Sequence, residues 1–186
     1  MKSKVIVGLV GLRCCGKSTV RSILIDLGYP VFDTNSVRTG DSDANQISLT
    51  EVLRRYGKDE SYMYFIEVSL REYISEHEGI IFIDSLKVAT DLDVLRGMFP
   101  DHYIEIWYLH ASTETRRLRY KQRDLDTKRR SESLEKHDSE LEKHGIFDLI
   151  KAAKVAISME GKLSEIRESI EQSIDSLNDR SNNSSL

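Results

Sequence analysis

Cysteine is almost missing from this chain: its 186 residues hold two, and they are neighbours, Cys14 and Cys15. Adjacent cysteines cannot easily close an unstrained disulfide or supply the spaced ligands of a metal site. A disulfide scaffold and a cysteine-bound metal module are therefore excluded, and a reducing, cytoplasmic setting is expected. No apolar run is long enough to span a bilayer, which excludes a membrane protein built on spanning helices. An excess of positive charge is missing too, since 27 Lys and Arg stand against 31 Asp and Glu for a net charge of −4. That balance argues against a general nucleic-acid partner. His77, His102, His110, His137 and His144 show no metal-ligand spacing, and no internal repeat is present. The start, MKSKVIVGLVGL, is basic and then apolar, yet it runs into a glycine-rich loop instead of a small-residue cleavage site, so it reads as a buried strand.

What remains is the composition of a folded domain, 39% hydrophobic and 31% charged. One domain over 1–178 is expected, followed by a flexible tail at 179–186. Short apolar runs at 4–10, 30–33, 79–84, 103–109 and 154–158 alternate with stretches of helical period. The predicted helices lie near 18–27, 48–55, 61–76, 91–98, 113–122, 131–151 and 163–177. This is the βαβ pattern of an α/β fold with a five-stranded parallel sheet flanked by helices. Two inserts interrupt it, at about 34–77 and 121–141, and both read as flaps over a site. The cations of the second region, from Arg116 to Arg130, suit either a solvated helix face or a lid.

Between the first strand and the first helix lies GLVGLRCCGKSTV, in which Gly11, Gly16, Lys17 and Ser18 satisfy G-x-x-x-x-G-K-[ST]. At that junction the backbone N–H groups of Arg13, Cys14, Cys15, Gly16, Lys17, Ser18 and Thr19 form a nest for phosphate oxygens, reinforced by the helix dipole. Lys17 would bridge the terminal phosphates of ATP and Ser18 would take one position on Mg²⁺. The donors are backbone groups, so the side chains of Arg13, Cys14 and Cys15 are expected to point outward. The run IIFID ends in Asp84, which suits either a water-mediated Mg²⁺ contact or a turn cap, and Asp33 at the end of PVFD suits either a base or an Asx turn.

These motifs, with IEIWYLHASTETRRLRYKQRD and HDSELEKHGIFDLIKAAKVAISMEGKLSEI in the same order, resemble the dephospho-CoA kinase-like and nucleoside monophosphate kinase-like P-loop proteins, especially a small archaeal branch. The resemblance implies a P-loop NTPase fold with an acceptor flap and an arginine-bearing lid. It implies phosphoryl transfer from ATP with Mg²⁺, Asp33 as the base, and Arg119 and Arg123 as lid arginines on the transferring group. The chain departs from the pattern at Lys87, at Leu125, at Ala153 and Lys154, and at Met159, where related chains carry an arginine, a second lid arginine, Ala-Asp and an asparagine. The expected partner is a small-molecule acceptor, first a nucleoside or deoxynucleoside monophosphate and second dephospho-CoA. A nucleotide-binding regulatory module and a nucleic-acid 5′-kinase are the alternatives, and the oligomeric state is not indicated.

Overall fold

An unbroken apolar run suits a strand covered on both faces, and β3 (Ile80–Asp84) is buried along its whole length. The computed structural model describes residues 4–34, 62–127 and 133–183. In it β3 is joined by β1 (Val5–Val10), β2 (Val31–Asp33), β4 (Tyr103–His110) and β5 (Val155–Ser158). All neighbours pair in parallel, in the order β2-β3-β1-β4-β5. The chain turns to the β2 side after β1 and to the β5 side after β4. Open α/β sheets place ligands outside the carboxyl ends of the strands at such a reversal.

Among the described residues the helices are α1 (Lys17–Asp26), α2 (Tyr62–Glu76), α3 (Asp91–Met98), α4 (Thr113–Thr127), α5 (Leu134–Lys143), α6 (Ile146–Lys151) and α7 (Leu163–Asn183). Strand side chains alternate between faces. Val7, Leu9, Phe82, Trp107 and Ile157 therefore pack against α1 and α7, while Ile6, Val10, Ile81, Ile83 and Ile106 pack against α2, α3, α5 and α6. None of these helices is long and apolar enough to cross a membrane.

The structure differs from the sequence reading in three places. The single helix expected over 131–151 is two, α5 and α6, because Gly145 adopts φ +77° and a Cβ there would lie 2.6 Å from that of Ala89. The helix expected over 61–76 is present as α2, but its Leu70 and Ile74 are core residues, so this described part of the expected acceptor flap is packed into the domain. The expected helix at 48–55, the rest of that flap, and 128–132 of the lid lie outside the described residues. The tail expected from 179 is helical as far as Asn183.

That extension has a cause in the sheet. Glu105 on β4 is 1% exposed and accepts hydrogen bonds from Tyr103 Oη, Trp107 Nε1 and the Arg180 guanidinium, the last at 2.7 and 3.1 Å. Burial by itself would raise the Glu105 carboxyl, but these donors outweigh it and hold the group below its ordinary 4.5. Arg180→Met strands a buried carboxylate and is expected to cost about 2 kcal/mol of stability. The sign follows from a depressed carboxylate: the loss is present at neutral pH and fades as pH falls through the lowered value. Urea unfolding followed by the fluorescence of Trp107 checks this, and an unchanged midpoint at neutral pH refutes it.

Candidate active site

The loop between β1 and α1 is shaped by close approaches. A Cβ on Gly11 would stand 2.5 Å from the Leu109 carbonyl oxygen and 2.7 Å from Cys15 Sγ, so only glycine lets the chain pass there. Cys14 and Gly16 both take positive φ, +61° and +119°, which curls the backbone between them. Gly16 also faces Met159, whose Cε would lie 2.9 Å from an added Cβ. Lys17 opens α1 and folds back over the loop, its Nζ donating to the carbonyls of Gly11 at 2.5 Å and Leu12 at 3.1 Å. Ser18 is exposed at the helix N-terminus and Thr19 is half-buried beside it. Loop, lysine and hydroxyl thus stand together as the motif requires.

One expectation fails inside the loop. Cys15 does not point outward: it is 1% exposed and packs in the core layer under α1, filling the space that Gly11 leaves beside it. Cys14 is half-buried, and the Arg13 guanidinium lies over the Tyr120 ring, 5.3 Å from its centroid.

The two acids come together because β2 and β3 are parallel neighbours in which Asp33 is the register partner of Asp84. Register partners project to the same face, so both carboxylates stand on the α1 side at the carboxyl edge of the sheet. Thr34 secures that edge, its N–H donating to the Asp84 carbonyl at 2.8 Å and its hydroxyl receiving the Ser85 N–H at 3.2 Å. Asp84 is 4% exposed, and burial pushes its carboxyl up, with Asp33 adding to the push and Lys17, Arg21 and Lys87 opposing it. Burial also pulls the Lys87 ammonium down to about 8, against the attraction of Asp91 and Asp84. Asp91, itself fully buried, shapes the turn after β3 by accepting the N–H groups of Lys87 and Val88.

Arg21 is one residue that the sequence reading missed. It lies one helical turn beyond Lys17, on the same face of α1. Its Nη1 is hydrogen-bonded to Asp33 Oδ2 and stands 3.6 Å from Asp84 Oδ2. The available signal was the spacing itself, a second cation four residues after the loop lysine.

The arginines of α4 differ in their surroundings. Arg116 and Arg119 turn inward: Arg116 Nη1 donates to the Arg13 carbonyl at 3.2 Å and to Asp138 Oδ2 at 2.7 Å. Arg119 Nη1 donates to the carbonyls of Cys15 at 2.8 Å and Cys14 at 3.4 Å, and its Nη2 to that of Met159 at 2.6 Å. Arg117 faces solvent beside Glu135, and Arg123 is exposed one turn beyond Arg119. Arg119 therefore holds the Gly11–Ser18 loop by that loop's backbone carbonyls. Among the described residues no group of three or more His, Cys, Asp or Glu could hold a metal by itself.

No protein-family profile matches the chain. It is 28% identical over 189 residues to a UPF0200 protein of Methanothermobacter thermautotrophicus, covering 97% of this chain and 95% of the relative. It is also 28% identical to a UPF0200 protein of Staphylothermus marinus, over 86% of each chain. Among solved structures it is similar to TT1252 from Thermus thermophilus, with TM-score 0.63 and 18% identity over 95% of this chain and 99% of that one. It is similar to shikimate kinase from Aquifex aeolicus, with TM-score 0.53 and 18% identity over 93% and 98% of the two chains. A gluconokinase from Sinorhizobium meliloti aligns with TM-score 0.55 and 16% identity over 96% and 97%. At such identities the likeness concerns architecture, and it agrees with the strand order and the loop described above. The chain shares the P-loop fold of these structures, a five-stranded parallel sheet flanked by helices, with the Gly11–Ser18 loop between β1 and α1.

Proposed function

We propose that the chain is a Mg²⁺-dependent kinase that transfers the terminal phosphoryl group of ATP to a small-molecule acceptor. The observation that carries this is the convergence of the Gly11–Ser18 loop with Asp33 and Asp84 at one edge of the sheet. The similarity to structures named as shikimate kinase and gluconokinase supports it.

The donor set fits the cofactor. The exposed Ser18 hydroxyl and the buried Asp84 carboxylate would hold Mg²⁺, which supplies charge neutralisation for the phosphates when bound. Lys17 exchanges its carbonyl partners for β- and γ-phosphate oxygens, and the backbone N–H groups of the loop hold the rest. The nucleophilic oxygen of the acceptor forms a bond to the γ-phosphorus as the bond to the β,γ-bridging oxygen breaks, with ADP leaving. Where that nucleophile is a hydroxyl, Asp33 takes its proton, and Arg21 fixes the carboxylate that does so.

The sequence reading places nucleoside monophosphates first, but a phosphate oxygen is already ionised at neutral pH and needs no base. Asp33 in the role of base belongs with an acceptor hydroxyl, whether of a sugar-like molecule or of a dephospho-CoA-type alcohol, and its hydrogen bond to Arg21 fixes the direction of the carboxylate. ADP release measured against a panel of nucleoside monophosphates, dephospho-CoA, small polyols and 5′-hydroxyl oligonucleotides tests the reading. Release dependent on a hydroxyl acceptor is expected. Tight MgATP binding with no release on any acceptor would make the chain a nucleotide-binding module instead.

A further inference from the structure

The basic stretch on α4 contains an arrangement that the proposed reaction does not use directly. The carbonyls of three successive loop residues, Arg13, Cys14 and Cys15, all face α4 and accept hydrogen bonds from Arg116 and Arg119. In a trans peptide the C=O of one residue and the N–H of the next point to opposite sides of the same plane. Holding the Arg13 and Cys15 carbonyls toward α4 therefore turns the N–H groups of Cys14 and Gly16 the other way. The N–H between them, that of Cys15, is bonded to the Leu12 carbonyl at 3.2 Å. We infer that Arg116 is a positioning residue that presets the phosphate loop from behind, with Arg119 beside it and Asp138 orienting its guanidinium.

The burial of the group supports a dedicated role. Arg116 is 4% exposed, whereas Arg117, its neighbour in sequence, has a side chain 56% exposed and is paired with the equally exposed Glu135. A buried guanidinium is retained only where it is hydrogen-bonded and paired, and Arg116 meets both conditions through one loop carbonyl and one carboxylate. Asp138 depends on it in turn, since its other oxygen, Oδ1, is buried without a hydrogen-bond partner among the described residues. Lysine could not replace this arginine, because a compact ammonium lacks the planar fork.

The inference rests on the nucleotide reading of the loop, and the experiment separates the two. Calorimetric titration with MgADP is compared for the full-length wild type, Lys17→Ala, Arg116→Lys, Arg116→Gln, Arg117→Gln, and the double variant Arg116→Gln with Asp138→Asn. Alkylation of Cys14 by iodoacetamide, read by mass spectrometry, reports the order of the loop, and the melting temperature reports the fold. Loss of a charged hydrogen bond should weaken MgADP binding about tenfold in Arg116→Gln. It should also speed Cys14 alkylation severalfold, with Arg116→Lys close behind and Arg117→Gln unchanged. The double variant no longer buries an unpaired carboxylate, so its melting temperature should recover while ADP affinity and Cys14 protection do not. Recovery of affinity together with stability, or wild-type binding by Arg116→Gln, overturns the inference and leaves Arg116 a structural strut. Where Arg116→Gln fails to fold, Arg116→Lys and the double variant decide between the same two results. A wild type that binds no MgADP, or binds it no better than Lys17→Ala, removes the nucleotide reading and this inference with it.

Discussion

Lys17→Ala is expected to lower kcat/KM for phosphoryl transfer by a factor on the order of 10² or more, the scale of losing a main electrostatic stabiliser of the transition state. The lysine stands at the first position of α1 with its Nζ over the carbonyls of Gly11 and Leu12. Its remaining hydrogen-bond contact among the described residues, Cys15 Sγ at 3.8 Å, also lies in the loop, and its side chain is no part of either core layer. The fold should therefore survive the substitution, with a melting temperature within a few degrees of wild type. Those contacts hold the ammonium at the loop mouth, so the charge lies close to where terminal phosphates would bind. Steady-state kinetics beside a thermal unfolding curve checks the prediction. Unchanged turnover in a folded variant would remove the phosphate-loop assignment.

Asp33→Asn carries the other large effect. With a hydroxyl acceptor, kcat should fall by about 10² to 10⁴, the range attributed to a positioned base, while MgATP affinity changes little because Asp33 ends β2 and lies off the loop. The amide cannot take the proton, although it can still accept a hydrogen bond from Arg21. The split distinguishes the two register partners: Asp84→Asn should raise the Mg²⁺ concentration needed for half-maximal rate, and Asp33→Asn should not. Full kcat in Asp33→Asn on every active acceptor would show that the carboxylate serves only the Arg21 contact.

The sequence made the sheet legible because each strand is a short apolar run closed by a polar residue or turn, and the observed strands match the expected ones to within a residue at either end. It made the loop legible because Gly11, Gly16, Lys17 and Ser18 are forced by steric and electrostatic needs that admit few substitutes. Asp33 and Asp84 were separately visible as strand ends, but their pairing was not, since it depends on which strands become neighbours and in what register.

Arg21 and Arg116 were hidden for a related reason. Each looks in sequence like one more surface cation on an amphipathic helix, and only the packing of α1 against β2 and β3, or of α4 against the loop, reveals its partners. Cys15 misled in the opposite direction. A nest built from backbone donors leaves its side chains unconstrained by chemistry, so the space beside Gly11 decided the direction of the thiol. Helical periodicity continues across the break at Gly145, which comes from the left-handed φ of +77° that this glycine adopts beside Ala89.

Movement of the γ-phosphoryl group of ATP to an acceptor is the proposed reaction of this chain, and ³¹P NMR of a reaction mixture observes that transfer directly. With enzyme, MgATP and a hydroxyl acceptor identified by ADP release, the γ resonance should disappear as ADP signals and a phosphate monoester resonance grow in parallel, and Lys17→Ala should leave the ATP spectrum intact over the same interval. An unaltered ATP spectrum with the wild-type protein across the acceptor panel, or conversion to ADP and inorganic phosphate alone, would contradict the claim.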